Sequence, residues 1–140
     1  MKKILFFGAT LLLMFASCSK DEDPVIVEES ARYYVKYEVT TTTQKEGVNV
    51  SVTCKTDKGI QTVADEVTQT KTFSWEGTYG PVSKDFMTNL TCGITENGSL
   101  NVHEGIIHAR IYVSRATEPF VIKAERTSTG TLTLLYKIDF

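Results

Sequence analysis

Apolar and polar residues alternate along most of this chain after its first thirty positions. Val35, Tyr37 and Val39 interleave with Lys36, Glu38 and Thr40. Val48, Val50, Val52 and Cys54 interleave with Asn49, Ser51, Thr53 and Lys55, the cleanest run of this kind. Ile107, Ala109, Ile111 and Val113 repeat the pattern, as do Leu132, Leu134, Tyr136 and Ile138. A period of two places each apolar set on one side of a strand, so each segment predicts a strand with one buried face. Further short strands are expected at 60–63, 68–75, 84–88, 90–94, 100–103 and 120–125. Gln44-Lys45-Glu46-Gly47, Asp57-Lys58-Gly59, Asn97-Gly98, Ala116 to Pro119 and Thr127 to Gly130 supply turns between them. Glu76 to Pro81 reads as a loop. No helical period of useful length appears. Strands with one buried face at this spacing predict an all-β domain, an antiparallel β-sandwich of about 8 strands, with an open-ended barrel as the alternative.

The first thirty residues follow other rules. Met1-Lys2-Lys3 is a charged start, Ile4 to Phe15 is an apolar run, and Ala16-Ser17 are small residues directly before Cys18. That order is a secretory signal peptide. The apolar run of 12 residues is too short to cross a hydrocarbon core, which needs roughly 20. Ala16-Ser17-Cys18 resembles the lipobox of bacterial lipoproteins, with Phe15 where leucine is usual. The resemblance implies that Cys18 is fatty-acylated and becomes the new N-terminus; an ordinary secretory signal is the other reading. Ser19-Lys20-Asp21-Glu22-Asp23-Pro24 resembles the acidic stretch of surface-exported lipoproteins of the Bacteroidetes. The chain therefore divides into a signal peptide (1–17), a lipidated cysteine with an acidic tether (18–30) and a β-sandwich domain (31–140). The expected location is the outer membrane, lipid-anchored and surface-exposed.

Charge narrows the partners. The chain carries 15 basic and 17 acidic residues, and loss of Lys2 and Lys3 with the signal leaves the mature protein more acidic. No basic cluster stands out, which argues against a nucleic-acid partner. Cys54 and Cys92 both fall on apolar-alternating segments and are expected to point inward. An exported protein can keep a disulfide, so Cys54–Cys92 is a candidate bridge if the strands bring them close; two separate buried thiols are the alternative.

Reactive constellations are weak. His103-Glu104-Gly105-Ile106-Ile107-His108 resembles a zinc-protease HExxH, but its histidines are five apart rather than four, so no metal site is expected. Cys54 among valines reads as core, not as a nucleophile. No phosphate-binding, nucleophile-elbow or calcium-loop motif occurs, so no cofactor and no enzymatic activity are expected. Trp75 and Tyr79 flank Glu76-Gly77-Thr78 and are candidate ligand-binding aromatics, able to stack on a glycan or an apolar molecule. For Trp75 the competing role is core filling. Tyr33, Tyr34 and Tyr112 are candidates for an outer-face aromatic patch.

Tyr34 to Thr40, Val50 to Thr56 with Gly59, Thr72 to Trp75 and Ile107 to Val113 together resemble, distantly, the small sandwich domains of the mycobacterial MmpS membrane proteins. The resemblance implies an immunoglobulin-like or transthyretin-like shape and speaks to the fold more than to any activity. The expected function is a non-enzymatic cell-envelope lipoprotein, a structural or accessory domain that contacts other envelope proteins. A ligand-binding surface module is the alternative.

Overall fold

A computed structural model describes residues 31–67, 71–96, 99–100 and 105–140. The leader, Cys18, the acidic stretch, the Asn97-Gly98 pair and His103 lie outside these residues. Nine strands are described: β1 (Tyr33–Thr43), β2 (Asn49–Thr56), β3 (Gly59–Val67), β4 (Thr72–Val82), β5 (Met87–Glu96), β6 (Ser99–Leu100), β7 (Gly105–Arg115), β8 (Val121–Thr129) and β9 (Thr131–Lys137). They form two antiparallel sheets, a β-sandwich. The first has the order β4-β1-β7-β8; the second runs β3-β2-β5, with β6 and β9 both pairing β5.

The alternation seen in sequence is the alternation of burial. Val35, Tyr37 and Val39 on β1, Val50, Val52 and Cys54 on β2, and Ile107, Ala109 and Ile111 on β7 are at most 1% exposed. Leu90, Cys92 and Ile94 from β5 and Leu132 and Leu134 from β9 complete the core. Each fully buried aliphatic chain contributes about 1.5–3 kcal/mol, so the facing inner surfaces hold the sheets together. Two tyrosines add polar struts between the sheets. Tyr37 on β1 donates its hydroxyl across the sandwich to the Lys55 carbonyl at 2.6 Å. Tyr33 donates to the Phe140 carbonyl, its ring packed edge-on against the Phe140 ring. Tyr33 is therefore core, 2% exposed, and not part of an outer aromatic patch.

Three segments differ from the sequence expectation. Residues 76–81 are not a loop; β4 runs on to Val82 as an edge strand that, among the described residues, pairs only with β1. Residues 84 and 85 form a turn, not a strand, with Asp85 at φ 68° and the Phe86 amide bonded to the Ser83 carbonyl. Residues 127–129 continue β8, and the chain turns at Gly130 alone. There it crosses from the first sheet to the second. The Gly130 amide donates to the Gly105 carbonyl at 3.1 Å, and the Ile94 amide donates to the Gly130 carbonyl at 2.8 Å.

Candidate functional site

β4 alternates in burial along its length, with Phe73, Trp75, Gly77 and Tyr79 on the inner side and half-buried. It is an edge strand, so its inner side chains close the flank of the sandwich instead of filling its centre. Gly77 makes that closure possible. A Cβ there would lie 2.7 Å from Trp75 Cζ2 and 2.9 Å from the Tyr79 ring and hydroxyl. The two rings converge over the glycine because it has no side chain. Tyr79 also meets Tyr37, ring centroids 6.1 Å apart and tilted.

The Tyr79 hydroxyl lies beside the Cys54 thiol, placed to donate to its thiolate. Burial pushes the Cys54 thiol up to about 11, a shift the Tyr79 hydrogen bond partly opposes. Burial likewise raises Tyr79, and the nearby Cys54 adds to it. Cys92 is pushed up to about 12 by burial. Both thiols are thus neutral at ordinary pH and poor nucleophiles. Both are also free. Strand register gives the reason: Cys54 stands opposite Leu90 and Cys92 opposite Val52, so the cysteines are diagonal neighbours. Diagonal positions on adjacent strands are roughly 7–8 Å apart, beyond the Cβ spacing of about 3.5–4.5 Å that a disulfide requires.

Beside Tyr79 lies an open cleft of about 230 Å³. Thr56, Asp57, Lys58 and Gln61 from the β2–β3 hairpin face Thr78, Tyr79 and Gly80 across it. Its walls come from both sheets, and an aromatic edge stands beside an acid, a base and an amide. Such a set can hydrogen-bond a small polar molecule while one ring packs against it. Trp75 does not line this cleft; it packs against the core, behind Tyr79. Of the two aromatic candidates, only Tyr79 meets the cleft. Asp57, Lys58 and Gln61 were missed because the hairpin read only as a turn.

The outer faces of the two sheets differ in chemistry. On the first sheet, charge is organised across four strands. Lys36 pairs with Glu76 at 3.2 Å, and Arg110 bridges Glu38 at 3.0 Å and Glu125 at 2.7 Å. Tyr112 donates to Glu38 at 3.2 Å, and His108 Nε2 lies 2.7 Å from Glu125. Arg110 and His108 hold the Glu125 carboxyl below its ordinary value. His108 thus joins a surface network of hydrogen-bonded polar and charged side chains. On the second sheet, Thr62, Thr53, Thr91 and Thr133 stand side by side across β3, β2, β5 and β9. Their hydroxyls approach to 3.1 Å between Thr53 and Thr62 and 3.4 Å between Thr91 and Thr133. Among the described residues, no group of three or more His, Cys, Asp or Glu could hold a metal ion.

No model of a known protein family matches the chain, and no curated protein matches it.

Proposed function

We propose that this protein is a non-enzymatic lipoprotein of the cell envelope, anchored to the outer membrane through Cys18, whose sandwich serves as a structural or accessory domain contacting other envelope proteins. The observation that carries the reading is the order of parts. A charged start, a short apolar run and Ala16-Ser17 precede Cys18, an acidic stretch follows, and the first strand of a closed-packed sandwich begins at Tyr33. Acyl chains on one cysteine give stable anchoring because each buried CH₂ contributes about 0.8 kcal/mol. The inert thiols and the mutually paired charges of the outer face suit a domain that presents surface. Labelling cells with a radioactive fatty acid tests the anchor. The wild-type chain takes up label and Cys18→Ala does not; a Cys18→Ala protein that stays acylated overturns the reading. Cross-linking on intact cells, followed by mass spectrometry, then identifies the envelope proteins in contact.

The cleft beside Tyr79 favours a second reading, a ligand-binding module for glycans. Calorimetric titration with oligosaccharides tests it. Binding that is lost in Asp57→Ala and Tyr79→Ala supports it, and absence of heat across a broad oligosaccharide set rejects it.

A further inference from the structure

Four large apolar side chains remain at the surface at one corner of the sandwich. Phe120 is 40% exposed, Val121 54%, Ile122 47% and Phe140 38%. Three are consecutive, and Lys123 joins them to the fourth, its Nζ 3.8 Å from the centre of the Phe140 ring. Val121 stands opposite the inward-facing Val113 and Ile122 opposite the outward-facing Tyr112, so the start of β8 exposes apolar side chains on both faces of an edge, and exposed apolar residues of this size mark a surface that another phase or partner covers.

The position of the corner says what covers it. Val121 pairs with Val113, and Val113 pairs with Val35, so Val121 lies level with the start of β1. Two strand spacings of about 4.8 Å put it roughly 10 Å from β1. Phe140 is closer, since Tyr33 touches both its ring and its carbonyl. The apolar corner therefore lies at the end of the sandwich where the preceding thirty residues join it. Arg32 and Arg115 are exposed at the same end, linked through the Ala116 amide and the Arg32 carbonyl at 2.8 Å. Glu118 is the acidic residue on the adjoining turn.

We propose that this corner is a second membrane contact, with Phe120, Val121, Ile122 and Phe140 seated at the boundary between headgroups and acyl chains, and with Arg32 and Arg115 at the anionic headgroups. The inference rests on the lipid-anchor reading. Twelve residues lie between Cys18 and Ala31, so the chain from one to the other spans at most about 45 Å when fully extended. A lipid on Cys18 thus keeps this end of the domain near the bilayer, and tethering makes even a weak contact populated. Apolar and aromatic side chains with flanking arginines are the chemistry that rests at such an interface. A second copy of the chain adding a strand to β8 is disfavoured. Register slips at Lys123, between the Ile111–Ala124 and Tyr112–Ile122 pairs, and a bulge with a lysine blunts an edge against another strand.

The test uses the full chain, acylated and reconstituted in vesicles of phosphatidylethanolamine and phosphatidylglycerol, with or without mid-chain brominated lipid. Phe120→Trp in a Trp75→Phe background carries one fluorophore at the corner, and the wild type carries one at Trp75, on the opposite flank. The expected result is at least twofold stronger quenching by brominated lipid at position 120 than at position 75, and loss of about half or more of that difference with Ile122→Asp. Equal quenching at both positions, with mass spectrometry showing Cys18 acylated and the protein floating with vesicles, overturns the membrane contact and leaves the anchor intact. An unacylated Cys18 overturns the anchor and the contact with it. Efficient cross-linking between Ile122→Cys copies in the vesicles, without lipid quenching, assigns the corner to a second copy and overturns the proposal. Where Phe120→Trp fails to fold, the same readout is taken from Val121→Trp.

Discussion

The two flanks of this sandwich are closed in different ways. On the β3–β4 side both sheets end in edge strands, and Trp75 and Tyr79 close the gap by meeting over Gly77. On the β8–β9 side the chain itself passes from one sheet to the other, fixed by backbone hydrogen bonds from the Gly130 amide to the Gly105 carbonyl and from the Ile94 amide to the Gly130 carbonyl. One closure is made of side chains that are only half-buried. The other is made of backbone hydrogen-bonded into both sheets. The first should yield to perturbation locally, and the second only with the fold.

Alkali gives the largest effect and reaches the side-chain flank through Cys54. Folded Cys54 and Cys92 have raised pKa values of about 11 and about 12, against 9.0 for the free thiol. Above pH 9 the unfolded chain loses thiol protons that the folded chain keeps. The stability from the neutral thiols is therefore complete below about pH 9 and is lost as pH rises toward 11–12. Denaturant midpoints measured between pH 8 and 11 should fall steeply, and Cys54→Ala should flatten the fall. An unchanged midpoint over that range would contradict the burial of both thiols.

A single methyl group then separates the flanks. At Gly105 a Cβ would lie 2.5 Å from Ile94 Cδ1 and 3.1 Å from the Thr42 carbonyl, with Ile94 wholly buried. Nothing there can move aside cheaply, so Gly105→Ala should cost about 3 kcal/mol, at the upper end of ordinary overpacking. At Gly77 the added carbon meets the far ends of two half-exposed rings, which can turn outward. Gly77→Ala should cost only about 1 kcal/mol. It should also shift Trp75 emission to the red, and the assignment is direct because the chain has one tryptophan. Equal costs at the two glycines would remove the distinction between the flanks.

What could be read from the sequence follows the same division. β1, β2, β7 and β9 were legible because the inner face of each is buried against the facing sheet, so its inward positions are apolar at every second residue, even where Ile106 and Leu135 put an apolar side chain on the outer face as well. β4 was not legible past Trp75. Gly77, Gly80 and Pro81 are turn-forming residues, yet all lie in one strand. An edge strand tolerates proline, which need not donate on its open side, and tolerates a glycine that admits neighbouring rings. Phe86 suggested a strand, but a lone aromatic near a core looks the same in a turn. Alternation also identified Cys54 and Cys92 as inward-facing without revealing their register, which is what keeps them apart. The cleft was hidden for a related reason. Asp57 and Tyr79 belong to different sheets, and a period of two says which way a side chain points but not which strand faces it.

The smallest effect concerns the bond that joins the side-chain flank to the core. Tyr79→Phe keeps the ring over Gly77 and removes only the hydroxyl beside the Cys54 thiol, the group that favours its thiolate. A sulfur acceptor makes a weak bond and the thiol loses little else, so the cost at pH 7 should be about 0.5 kcal/mol. Trp75 emission should not move, because the aromatic contact survives. The thiol should respond instead: without that donor its thiolate is less stabilised, so Cys54 becomes still harder to ionise. Peptide mapping after iodoacetamide treatment at pH 9 should then show slower alkylation of the Cys54 peptide in Tyr79→Phe than in wild type. Faster alkylation would mean that the hydroxyl shields the thiol from solvent more than it stabilises its charge, and that this flank is sealed by Tyr79 rather than merely covered by it.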